Sequence, residues 1–427
     1  MPRAAKPSRL TLRAYKVGFG DCFLLTFHYA AFQRHVLIDF GSSGMDKEDG
    51  GGARLLRIAE DIREQSGGKL HAVVATHRHR DHISGFATRK NGGGPGDIIA
   101  SLEPEAVIQP WTEDPEAAPG ALRATRTEPG KKAFVQSLAA MQSFCAGLVR
   151  ELPALHGRIG PTALRQLSFL GETNLPNLAA VKNLQQMGPN WYVNFGSRCG
   201  LETLLPGVKT HVLGPPSLEQ SEAIRGQRAQ DAAEFWHLQS LAERSAASSK
   251  LRLFPGAAVH GGGALPPQTR WFIQRLERLR GEQLLGIVRA LDEAMNNTSV
   301  ILLFDCGSKK LLFPGDAQIE NWSYALSRPG VRRLLEDVDV YKVGHHGSLN
   351  ATPKSLWELF RKRSKESAPG RLMTINSTMP GKHGDARRGT EVPRRKLVDA
   401  LAAESHYFST EEIKGRNGIR QDFVFDL

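Results

Sequence analysis

VVATHRHRDHISGF, residues 73–86, sets three histidines and an aspartate into six positions directly after a run of small and β-branched apolar residues. The apolar run reads as a buried strand that delivers the polar cluster to a strand end. Side chains alternate along an extended segment, so His77 and His79 point to one side. Asp81 and His82 lie past the strand end, where the loop can fold them back toward the same point. An H-x-H-x-D-H spacing of this kind suits a pair of cations about 3.5–4 Å apart. The competing interpretation is a polar loop of surface histidines, which a buried strand directly upstream makes a poor fit.

Outward from this stretch, the chain alternates between strand and helix patterns. Upstream, LTLRAYKV, CFLLTFHY and HVLIDF read as strands and ARLLRIAEDIREQ as an amphipathic helix. Downstream, AVIQPW is a further strand, and two mainly helical blocks, 112–188 and 217–295, interrupt the pattern as insertions on either side of the strands NWYVNF and VKTHVLGPP. Strand signals return in SVILLFD, KLLFPGD, VDVYKVGHHGS, LMTINS and HYFST, with helical patterns in PKSLWELFRKR and RRKLVDALAAE. No internal repeat is legible. The expectation is a single α/β domain over residues 1–427, assembled from both ends of the chain.

Composition narrows the class. At 427 residues and 40% apolar the chain can bury a sizeable core, and four scattered cysteines with no C-x-x-C pair argue against a disulfide framework or a thiolate zinc site. No segment is apolar enough for a secretion signal or a membrane span, so a soluble, cytoplasmic protein with no membrane insertion is expected. The net charge of +12 favours acidic partners such as nucleic acid or other phosphate esters. The runs RKRSK (361–365), ARRGTEVPRRK (386–396) and RWFIQRLERLR (270–280) suggest a track for a phosphate backbone.

THRHRDH at the end of an apolar strand resembles the signature of the metallo-β-lactamase fold hydrolases. VGFGDCFLLTF followed by HVLIDFGSSG resembles the opening hairpin of that fold, and NTSVILLFDCGSKKLLFPGDA resembles the hairpin that carries a bridging carboxylate. DVYKVGHHGSLN, together with the order of VLGPP, NNTSV, FPGD, VGHHGS and MPGKHGD, is most similar to the hydrolase domain of the ComEC-type DNA-uptake competence proteins and their soluble relatives. This resemblance implies an αβ/βα four-layer sandwich carrying two divalent ions, Zn2+ or Mn2+. It places His77 and His79 on the first ion, with Asp81, His82, Asp316 and one of His345 and His346 completing the pair of sites and Asp316 as the bridge. Asp39 would orient the metal-binding loop. Asn296 and Asn297 stand where many members carry a third histidine for the first ion, which weakens that site; the ComEC-type relatives lack it too.

The chemistry implied is hydrolysis, with Asp81, Asp316 and His383 as catalytic residues and His383 supplying the proton to the leaving group. Lys342, Lys382 and Ser348 are candidate phosphate contacts, with Asn297 in a supporting place. A phosphodiesterase or nuclease acting on nucleic acid or a nucleotide is the leading expectation. The alternatives are a hydrolase of a small ester, thioester or lactam, and a non-catalytic scaffold that recruits a partner protein through its insertions.

Overall fold

The computed structural model describes residues 5–45, 52–114, 177–217, 220–221, 295–382, 391–414 and 418–427. Most of both expected insertions, the basic run 270–280, Cys145 and His383 lie outside the described residues.

Strands β1 (Arg9–Tyr15), β2 (Cys22–His28) and β3 (Gln33–Phe40) form an antiparallel meander, to which β4 (Ala72–Val74), β5 (Ala106–Pro110) and β6 (Asn190–Val193) add in parallel. The second half repeats the plan. Strands β7 (Lys209–Gly214), β8 (Ile301–Asp305) and β9 (Lys310–Phe313) are antiparallel, and β10 (Val340–Lys342), β11 (Met373–Asn376) and β12 (His406–Ser409) follow in parallel. The last strand, β13 (Arg420–Asp426), returns to pair antiparallel with β1, so the C-terminal segment completes the N-terminal sheet. Among the described residues the sheets run β13-β1-β2-β3-β4-β5-β6 and β12-β11-β10-β9-β8-β7. The architecture is α/β with two mixed sheets, and the duplicated plan is a feature the residues alone do not display.

Strand alternation builds three apolar layers. Phe23, Leu25, Val36, Ile38 and Val74 of the first sheet meet Leu302, Phe304, Leu311 and Phe313 of the second in one core. Their neighbours Leu24, Leu37 and Val73 face the other way, against Ile58 and Ile62 of helix α1 (Gly52–Gln65) and Ile99 of helix Pro95–Ala100. On the far side Leu303, Leu312 and Tyr341 pack against Trp322 and Leu401 from helices Ile319–Leu326 and Arg395–Glu404. Strands covered on both faces read as near-continuous apolar runs, as VILLF does and CFLLTF does apart from Thr26, which is hydrogen-bonded to Arg13. Burying a side chain of this size contributes about 1.5–3 kcal/mol, which makes the strand interiors the most constrained part of the chain. Among the described residues no helix is long and apolar enough to cross a membrane.

The parallel strands of both sheets release their carboxyl ends into neighbouring loops, the usual position for a ligand site in such sheets. Loops after β3, β4, β9, β10 and β11 meet there.

Candidate metal centre

Asp39 ends β3 with a positive φ of 52°. The turn aims its carboxylate along the start of the histidine loop, where Thr76 donates from its backbone N–H at 2.7 Å and from its hydroxyl at 2.8 Å. His82 Nδ1 lies 2.8 Å from the same carboxylate, so the proton sits on Nδ1 and Nε2 is turned into the site. His82 and Asp81 stand on a single helical turn, Arg80–Ile83. Gly41 lets this turn approach, since a Cβ there would lie 2.5 Å from backbone atoms of Asp81 and His82.

From the other sheet, Asp316 follows β9 and the two histidines follow β10. His345 and His346 adopt φ of 44° and 51°, and Gly347 continues at 90°, an unusual succession of left-handed residues. A left-handed non-glycine residue is strained, by about 1–3 kcal/mol each, and the surrounding contacts hold this pair in place. His346 Nδ1 donates to the Ser377 carbonyl at 2.9 Å, Phe19 packs on its ring at 4.4 Å, and its Nε2 faces Asp81 Oδ2 at 3.2 Å. His345 is turned by Ser348, whose hydroxyl lies 3.1 Å from His345 Nδ1.

Asp316 Oδ2 is the centre of the arrangement. His82 Nε2 approaches it at 3.0 Å, His346 Nε2 at 3.7 Å, and the Nε2 atoms of His77 and His345 at 3.9 Å each. The ligand atoms of Asp81, His82, Asp316 and His346 all lie within 4.8 Å of one another, and all four residues are buried. Of the two adjacent histidines, His346 is the one whose ligand atom lies within this group, while His345 is 20% exposed and 3.9 Å from Asp316 Oδ2. His77 Nε2 and His79 Nδ1 are 3.0 Å apart, so the H-x-H pair converges as alternation predicts. The pair adjoins the four-residue group through Asp316, 3.9 Å from His77 Nε2, and the described residues place no further histidine beside it where the family's third one would stand. Asn297 Nδ2 donates to Glu320 at 2.9 Å, which leaves its Oδ1 buried without a hydrogen bond.

The donor set fits a divalent cation. Among the described residues, Asp81 Oδ1 and Asp316 Oδ1 are buried with no hydrogen-bond partner, a costly condition that coordination relieves. Protonation follows the same demand for positive charge. Burial works against ionised carboxylates, yet His346 holds Asp81 down to about 2, and the imidazoles of His82, His346 and His345 hold Asp316 well below the carboxylate range. Burial likewise opposes a charged His82, but Asp316 and Asp39 raise it well above the imidazole range. His77 goes the other way, because burial and then the neighbouring imidazoles of His82 and His79 hold it neutral, the form that ligates.

The surroundings of three features differ from their reading in the sequence. Lys342 is no phosphate contact: its side chain is 3% exposed, ion-paired with Asp21 and 3.7 Å from Asp316 Oδ1. Asp21 belongs to the site and was hidden in GFGDC, where an aspartate before a strand reads as a turn residue. In the run RKRSK three basic side chains are paired with carboxylates. Arg361 pairs with Glu336 at 2.7 Å, Lys362 with Asp339 at 2.7 Å and Arg363 with Glu404. Asp339 precedes β10, so these pairs gather at the strand end opposite the histidines. The segment after residue 390 does reach the site end, where Arg394 N–H donates to Gly347 O at 2.9 Å and Arg395 and Lys396 are exposed. Lys382, also exposed, lies over Gly44 in the loop after β3.

No family model matches the chain, and no curated protein matches it.

Proposed function

We propose that the protein is a metal-dependent hydrolase of the metallo-β-lactamase fold, similar to the ComEC-type hydrolase domains, acting on phosphodiesters of nucleic acid or nucleotides in the cytoplasm. The observation that carries this reading is the buried convergence of Asp81, His82, Asp316 and His346 from both sheets, with ligand atoms left unpartnered. These four residues would hold one cation, and His77 and His79, through Asp316, would hold a second, more weakly. Zinc and manganese both suit imidazole and carboxylate donors. Such ions, when bound, supply Lewis acidity and lower the pKa of water from 15.7 to about 7.

The residues of the chain perform the rest. Asp39 and the Ser377 carbonyl fix the His82 and His346 rings with Nε2 inward, so that no reorientation is needed. Asp81 and Asp316 concentrate negative charge that excludes a bare anion and admits a cation. His345, held by Ser348 at the opening, is placed to donate a hydrogen bond to a substrate oxygen. Lys382, Arg395 and Lys396 are exposed at the same end, and an anionic substrate is drawn toward them. The proton donor role assigned to His383 falls outside the described residues and adds no support.

Purified protein incubated with Mn2+ or Zn2+ and linear or circular single-stranded DNA, beside a chromogenic lactam, tests the reading. Metal-dependent DNA cleavage that disappears in Asp316→Ala is the expected result. Turnover of the lactam alone would move the substrate class to carbonyl compounds, and a protein that binds no metal would point to a scaffold.

A further inference from the structure

A second acidic group lies behind the first. Asp21, Asp39 and His82 present ligand atoms within 4.8 Å of one another, again fully buried. Asp39 is already committed to Thr76 and to the His82 Nδ1 proton. Asp21 is not: His82 Nδ1 is 3.7 Å from its Oδ2 and His346 Nδ1 is 3.7 Å from its Oδ1, both beyond hydrogen-bond reach. Such a carboxylate needs a cation to remain ionised.

The only side-chain ammonium that the described residues bring to Asp21 is Lys342. It projects from β10 of the second sheet into the loop before β2 of the first, pairs with Asp21, reaches the Gly315 carbonyl at 3.3 Å, and stands 3.7 Å from Asp316 Oδ1.

We infer that Lys342 is a tethered cation: its ammonium fills the Asp21 group and so keeps a divalent ion out of it. As a positioning residue it also restrains the Asp316 Oδ1 edge, leaving Oδ2 to the histidines. The site thus takes its divalent ions on the histidine side of Asp316 and none in the Asp21 group. The inference rests on the metal-centre reading for the number of ions it starts from, but its test reads a difference.

Mn2+ bound per chain, measured by equilibrium dialysis with elemental analysis, is compared for the parent protein, Lys342→Met and Lys342→Met/Asp21→Asn. The single variant is expected to bind one ion more than the parent, and the double variant to return to the parent number. An Asp21-dependent gain of an ion is not something a purely structural lysine would produce. Equal Mn2+ in parent and single variant overturns the inference, as does a gain that persists in the double variant. If the single variant is recovered unfolded, the thermal midpoint is read after refolding with Mn2+. Recovery that requires both Mn2+ and Asp21 supports the inference, and failure of Mn2+ to restore the fold overturns it. A parent protein that binds no Mn2+ would sink the metal-centre reading, while the difference between parent and variants would still decide this one.

Discussion

At the scale of single residues, the centre depends on side chains that touch no cation themselves. Asp39 holds the His82 ring by its Nδ1 atom, and such supporting partners change metal affinity by about 10–100-fold when removed. Asp39→Asn is therefore expected to weaken Mn2+ binding by roughly that factor, measured by isothermal titration, with the secondary structure retained. The two histidine groups differ in the same assay. His346→Ala removes one of four mutually close ligands and is expected to lose most of the binding, whereas His79→Ala removes a member of an incomplete pair and is expected to lose less. Equal losses would mean that the H-x-H pair carries the principal ion.

At the scale of elements, the loops after β3 and β4 must lie backbone against backbone. Gly41→Ala would press a methyl group into the Asp81–His82 turn, at 2.5 Å from its backbone. The expected result is a stability loss of about 1–3 kcal/mol by urea unfolding, as for other overpacked sites, together with weakened Mn2+ binding. At the opposite end of these strands, His35 N–H donates to His71 Nδ1 at 3.0 Å, so His71 must keep that nitrogen unprotonated. Burial lowers both histidines to about 4, with the neighbouring His71 adding to the effect on His35 and Arg34 to that on His71. Each binds fewer protons folded than unfolded, so stability is full above the unfolded value of about 6.5 and is lost as pH falls from there toward 4. The urea midpoint is expected to drop between pH 7 and pH 4.5, and to drop less in His71→Asn, which keeps an acceptor near the Nδ1 position. Parallel declines in the two proteins would show that other groups set the acid limit.

At the scale of the whole molecule, the cation site joins the halves of the fold. Asp21, Asp39, Asp81 and His82 come from the first sheet side and Asp316, Lys342 and His346 from the second. A ligand that binds only the folded state at 100 times its Kd adds about 2.7 kcal/mol. Removing metal with a chelator is therefore expected to lower the thermal midpoint by several degrees, and re-added Mn2+ to restore it. An unchanged midpoint would mean that the carboxylates are compensated by protons and Lys342 alone.

The sequence by itself determined most of the strands and the candidate ligands that stand at their ends. CFLLTF, VVAT and VILLF admit only a doubly covered strand, and H-x-H-x-D-H after one of them admits few uses besides a cation. The FPGD and VGHHGS stretches were equally legible as candidate ligands, because each stands at the end of an apolar run. Pairing across the chain was not legible. The orientation of the His346 ring is set by the Ser377 carbonyl and Phe19, which come from distant segments. The partner of Asp21 is Lys342, some three hundred residues away, and the partners of RKRSK are Glu336, Asp339 and Glu404. Local pattern records which face of an element is buried, whereas the partner of a buried charge is set by which loops the two sheets bring together, and only the tertiary structure decides that.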